Sequence, residues 1–259
     1  MKATRHLPVL LLLALGLAQP AEAHFPILIH DAALGATQGP VTVSYASGHP
    51  FELDLEPVAR PARVQWFDRR GRSHEVTNAL EKTLFRGDTN GAGWQFVFDP
   101  PPGDVLLALD SASSINARDQ TIYREYVKLW LHRGRQEGWH QRTGQPLEIV
   151  PLTRPYGLRP GMVFTGRLLR GDRPVADTVV YAERLNDRRP DPGALPPEPL
   201  ITFVVRTDRD GRFALTLIDP GWWVLGAYVQ DLGPVRHEGQ TWQLEGFAGA
   251  WVRVESPPQ

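Results

Sequence analysis

Short stretches in which apolar and polar residues alternate recur along the chain, each cut off by Gly, Pro or Asp, and no long run keeps helical spacing. A period of two between turn residues predicts strands, so we expect an all-β protein. Residues 41–45, 62–67, 94–98, 105–109 and 126–131 read as strands of a first sandwich. Residues 161–169, 178–183, 200–206, 213–217, 223–229 and 247–254 read as strands of a second. The expected organisation is two β-sandwich-like domains, residues 24–150 and 151–259. The segment 151–157 would link them, its prolines Pro151 and Pro155 opposing both sheet pairing and helix. A weak internal repeat supports the division: 93–98, 99–103 and 105–108 read like 211–217, 219–221 and 224–227, each as strand, Pro-Gly turn and strand, the pattern of a hairpin. Residues 187–199, with five prolines, read as an exposed loop.

Ahead of this pattern stands a different one. Lys2 and Arg5, an apolar run from Leu7 to Ala18, and the small-residue sequence Ala21-Glu22-Ala23 form a secretory signal peptide over residues 1–23. Cleavage after Ala23 leaves 236 residues and places His24 first. The mature chain, with 26 Lys+Arg and 28 Asp+Glu, lacks the basic excess of a nucleic-acid binder, so no nucleic-acid partner is expected. Beyond the signal no apolar run approaches the ~20 residues that span a bilayer, so no stable membrane insertion is expected after cleavage, and the periplasm is the expected compartment. The absence of cysteine excludes disulfides, thiolate metal sites and cysteine nucleophiles together.

That leaves histidine as the main chemical resource. A chain that begins with His24 offers its amine and its own imidazole as a chelate, with ordinary pKa values near ~8 and ~6.5; the plain alternative is that His24 only marks where the signal ends. In an extended strand His24 and His30 share a face but stand roughly 20 Å apart at ~3.3 Å per residue. His49, between Gly48 and Pro50 in a turn after a strand, is the better third ligand, unless it merely braces that turn. His30 is a fourth if the strand curves back, and His237, before Glu238-Gly239, a more remote one. Such a site suits a divalent transition metal: nickel, cobalt, copper or zinc. Glu52 and Asp54 are available as oxygen ligands or as partners of the ligands. Tyr126, Lys128, Trp130 and His132 share one strand face and either line a cleft or cover a sandwich. The Asp-Gly turns at 88–91 and 208–211 lack the glutamate of a calcium loop and read as β-turns. Without a nucleophile elbow, a phosphate loop or a His-Glu-x-x-His helix, the chain is not expected to be an enzyme.

The run Pro146-Leu147-Glu148-Ile149-Val150-Pro151-Leu152-Thr153-Arg154-Pro155-Tyr156-Gly157-Leu158, with Gly161, then Gly171-Asp172-Arg173-Pro174-Val175, Thr207-Asp208-Arg209-Asp210-Gly211-Arg212-Phe213 and Pro220-Gly221-Trp222-Trp223, resembles exported bacterial proteins described as periplasmic components of nickel or cobalt uptake. Many of these carry only a domain-of-unknown-function label. Gly48-His49-Pro50-Phe51-Glu52 and the Ala23-His24 junction are similar to that family as well. The resemblance implies a second domain of the transthyretin-like or carboxypeptidase-regulatory kind. It also implies candidate ligands at His24 and His49, and a membrane metal transporter of ABC or energy-coupling-factor type as partner. Two other readings stay open: a copper-binding N-terminal-histidine protein, either chaperone or oxidative enzyme, and a metal-free envelope adhesion module.

Overall fold

The computed structural model describes residues 24–256; the expected signal peptide, residues 1–23, lies outside the described residues. The fold is almost entirely β. In the first part of the chain the strands are β1 (Phe25–His30), β2 (Val41–His49), β3 (Asp54–Glu56), β4 (Arg63–Phe67), β5 (Ser73–Glu75), β6 (Glu81–Leu84), β7 (Ala92–Phe98), β8 (Gly103–Asp110), β9 (Ser114–Asn116) and β10 (Thr121–Arg133). There follow β11 (Leu147–Pro151), β12 (Met162–Arg170), β13 (Arg173–Pro174), β14 (Val179–Leu185), β15 (Phe203–Arg206), β16 (Arg212–Leu217), β17 (Gly221–Val229), β18 (Pro234–His237) and β19 (Gln240–Val254).

These strands make three sheets. One outer sheet has the order β1-β2-β7-β6, with β3 on β2, and the other comprises β11, β12, β13 and β16. Between them lies a ten-stranded sheet, β15-β14-β17-β19-β10-β8-β4-β5, with β18 paired to β19 and β9 to β10. Its strands come from both parts of the chain, joined by the parallel pair β10–β19, in which Thr121 faces Gln243 and Leu129 faces Trp251.

The central sheet is buried on both faces, and its residues divide by parity. Val105, Leu107, Leu109, Val127, Leu129, Leu131, Trp222, Val224, Phe247 and Trp251 pack against β1 and β2. The residues between them, among them Leu106, Ala108, Trp130, Trp223, Leu225, Ala248, Ala250 and Val252, pack against β11, β12 and β16. A strand covered on both sides gains nothing from a polar alternate position, which is why 105–109 and 222–227 read as unbroken apolar runs.

The segments expected as two domains, 24–150 and 151–259, share the central sheet. Each outer sheet belongs to one part of the chain, as two sandwiches require, but both cores draw on the shared central sheet. The 150/151 boundary falls inside β11, where Pro151 pairs with Gly166. The repeat is also real but is not a hairpin: β7 lies in one outer sheet and β8 in the central one, just as β16 lies in the other outer sheet and β17 in the central one. Each unit is an arch that changes sheets across a Pro-Gly turn.

Candidate metal centre

β1 and β2 run antiparallel with Phe25 opposite Gly48, so the residues one step beyond, His24 and His49, meet at the mouth of the pair. Their rings stand edge to face, 4.6 Å between centroids. β1 is tied down from below by Trp251, whose indole Nε1 donates to Pro26 O at 2.8 Å. Gly48 makes the close approach possible. Its φ is +148°, and a Cβ there would lie 2.2 Å from the Asp54 carbonyl oxygen, so only glycine lets β3 fold back onto β2. That fold-back brings Glu56 opposite Ser47. The Glu56 carboxylate lies 2.8 Å from His24 Nδ1 and accepts from Ser47 Oγ at 3.1 Å.

His24 therefore meets His49 through its ring and Glu56 through Nδ1 at a half-exposed position. Among the described residues no three His, Asp or Glu side chains are arranged to enclose an ion by themselves. The nitrogen and oxygen donor chemistry nevertheless suits a first-row divalent ion, with one further donor required from the backbone. Behind the pair the sandwich interior turns polar. Glu125, with Tyr45 beside it, is pushed up to about 7 by burial and by the nearby Glu56 carboxylate. Tyr123 and Tyr228 stack 6.2 Å apart, and the Tyr228 hydroxyl donates to the His24 carbonyl at 3.0 Å. Burial also raises Glu183 to about 7, even though its carboxylate accepts from Phe51 N at 2.8 Å.

The other candidates go elsewhere. His30, at the far end of β1, is half-buried, with Nε2 3.3 Å from Trp130 O and its ring edge-on to Trp222 at 4.9 Å. Burial lowers it to about 4. His237 pairs with Gln240 at a hairpin tip, on the order of 20 Å along β19 from Phe247, and packs edge-on against Trp242. The structure brings neither to His24. Asp54 pairs with Arg189 at 3.3 Å. Of the row on β10, Trp130 and His132 border a small pocket beside His30 and Tyr156. Lys128 is buried against Glu148, which Arg142 also reaches at 2.6 Å, and Trp130 donates to Trp139 O at 2.8 Å. His132 lies 2.7 Å from Asp104, which also accepts from Tyr156 at 2.8 Å. Both Asp-Gly segments are β-turns, closed by Gly91 N on Asp88 O and by Gly211 N on Asp208 O.

Glu56, Tyr228, Glu125 and Glu183 went unread in the sequence. Glu56 alone left a signal: a hairpin pairing His49 with Asp54 sets Ser47 opposite Glu56.

The profile of a domain of unknown function, DUF4198, matches residues 21–231. The chain belongs to the DUF4198 family. The match takes in His24, His49 and Glu56 and ends before β18 and β19. No curated relative matches this DUF4198 chain. Solved structures similar to it include a putative carbohydrate binding protein from Pseudomonas aeruginosa, 17% identical, covering 46% of this chain and 88% of that one, with a TM-score of 0.22. The D0-D1 domain of intimin is 13% identical over 88% of this chain and 96% of its own, with a TM-score of 0.22. A DUF4785 family protein from Legionella pneumophila is 9% identical over 86% of this chain and 55% of its own, with a TM-score of 0.29.

Proposed function

We propose that the protein, exported to the periplasm and processed to begin at His24, binds a divalent nickel or cobalt ion and delivers it to a membrane transporter of ABC or energy-coupling-factor type. The observation that carries this reading is the meeting of His24 and His49, 4.6 Å apart, with Glu56 on His24 Nδ1. The amine freed at His24 and its Nδ1 form one chelate, His49 adds a third nitrogen, and Glu56 gives up its contact with that Nδ1 to supply an oxygen. His30 and His237 take no part. Amine and imidazoles bind only when deprotonated, so affinity falls as pH drops. The ion is cargo, and nothing in the arrangement calls for a catalytic role.

The test is calorimetric titration of the processed protein with nickel(II) and cobalt(II), beside a version carrying one extra glycine before His24 and a His24→Ala, His49→Ala double variant. The processed protein should bind one equivalent, and both altered forms should bind at least about 100-fold more weakly. Equal binding by all three overturns the reading. A parallel copper(II) titration with an oxidation assay separates cargo binding from copper-dependent oxidation, although copper's intrinsically higher affinity makes tight copper binding alone uninformative.

A further inference from the structure

His49 belongs to the first outer sheet, yet the loop that follows it is held by the opposite part of the chain. Three residues of the β14 region reach it. Glu183 Oε1 accepts from Phe51 N at 2.8 Å, and its other oxygen accepts from Thr202 Oγ1 at 3.1 Å. Asn186 N donates to Pro50 O at 3.1 Å, and Asn186 Nδ2 donates to Phe51 O. Arg184 lies over the Phe51 ring, 5.9 Å from its centroid, and donates to Asn186 Oδ1. Arg86 holds Asn186 in turn through its carbonyl at 2.7 Å. Phe51 N and the carbonyls of Pro50 and Phe51 are thus bound from one side by residues more than 130 positions away. Pro50 is buried and Phe51 half-buried, so solvent does not satisfy these groups and the backbone that leaves His49 is held in place by Glu183 and Asn186.

We propose that Glu183 and Asn186 are positioning residues for the histidine pair, fixing the His49 side chain against His24 so that the ion meets preset donors. The proposal rests on the metal-binding reading above. Loss of such a support weakens metal binding without removing a ligand, by about 10–100-fold where partners of ligands have been replaced. Tyr228, on β17, holds the His24 carbonyl in the same way, so the latter part of the chain supports both histidines.

The experiment uses the whole processed chain, with nickel(II) and cobalt(II) as the probes. Glu183→Ala and Asn186→Ala should each weaken nickel binding at least tenfold and shift the visible absorption of the cobalt-loaded protein, with its changed ligand field. Glu183→Gln keeps an oxygen for Phe51 N and should retain affinity within about threefold. Thermal unfolding of the metal-free variants serves as the control for fold, and Arg206→Ala, altering an exposed pair with Asp177, as a substitution remote from the loop. Wild-type affinity and an unchanged cobalt spectrum in both alanine variants, with binding still lost in His49→Ala, overturn the positioning role and leave the metal reading intact. Equal weakening in Glu183→Gln and Arg206→Ala overturns it too, because a generally loosened fold then explains the loss. If the unaltered protein binds neither ion, the metal reading falls and the positioning role falls with it.

Discussion

The two ends of β1 carry the same side chain in opposite circumstances. At one end His24 is exposed and meets His49 and Glu56; at the other His30 is half-buried, against the Trp130 carbonyl and the Trp222 ring. The first stands open to solvent and to an incoming ion. For the second, charge is expensive, and burial drives it down to about 4. Residue type therefore says little about an imidazole's work here; its position along one strand decides it.

The sharpest way to break that comparison is to exchange the effects of the two histidines. His30→Ala should leave nickel binding unchanged and cost about 2–4 kcal/mol of stability from the cavity it leaves. His24→Ala should do the reverse, lowering affinity about 100-fold with unfolding free energy changed by less than ~0.5 kcal/mol, as at other exposed sites. Denaturant unfolding and calorimetry on the same samples check both. A stable His30→Ala variant with poor nickel binding would reverse our assignment of the two ends.

Gly48→Ala attacks the exposed end through its backbone. With a Cβ 2.2 Å from the Asp54 carbonyl and φ at +148°, β3 cannot stay paired with β2. We expect a loss of about 3 kcal/mol, from strain and lost pairing together, and weaker nickel binding because Glu56 is no longer held opposite Ser47.

Acid tests the buried end. The folded pKa of His30 lies below its unfolded value, so its neutral form contributes stability that is complete above about 6.5 and disappears as pH falls through about 4. This lowers stability by about 2–3 kcal/mol between those limits. Unfolding of the wild type and His30→Gln across that range should show a steeper acid decline in the wild type.

An effect of the same size runs the other way. Glu125 is raised to about 7, so it contributes stability below the ordinary carboxylate range that is lost as pH rises through about 7. Glu125→Gln should be about 2–3 kcal/mol more stable than wild type at pH 8 and equal to it near pH 4. A variant less stable at pH 8 would mean that the charged carboxylate has a partner to lose.

Much of this was legible in the chain. Every strand expected from alternation is present, because Gly, Pro and Asp punctuate the pattern where turns fall. The sheet to which each strand belongs was not legible. Hydrophobic period shows that 93–98 and 105–108 are strands, but a hairpin and a sheet-changing arch share the same strand-turn-strand text. The meeting of His24 and His49 followed from a local fact, one strand pair with a glycine where the chain must double back. Glu183 and Tyr228 left no trace, since they reach the site through hydrogen bonds to the backbone across 132 and 204 positions of sequence, and a backbone partner has no residue identity to read.

The place of β19 bears on how the molecule forms. It is the last strand in sequence, yet it lies at the centre of the ten-stranded sheet, parallel to β10 on one side and antiparallel to β17 on the other. Until residue 254 is free, β10 and β17 present two long, apolar, unpaired edges, the template on which chains aggregate. Closure then requires pairing across more than a hundred residues, which makes it slow. A sheet whose central strand comes from residues 240–254 is complete only once that segment has paired, so both edges stay open until it does.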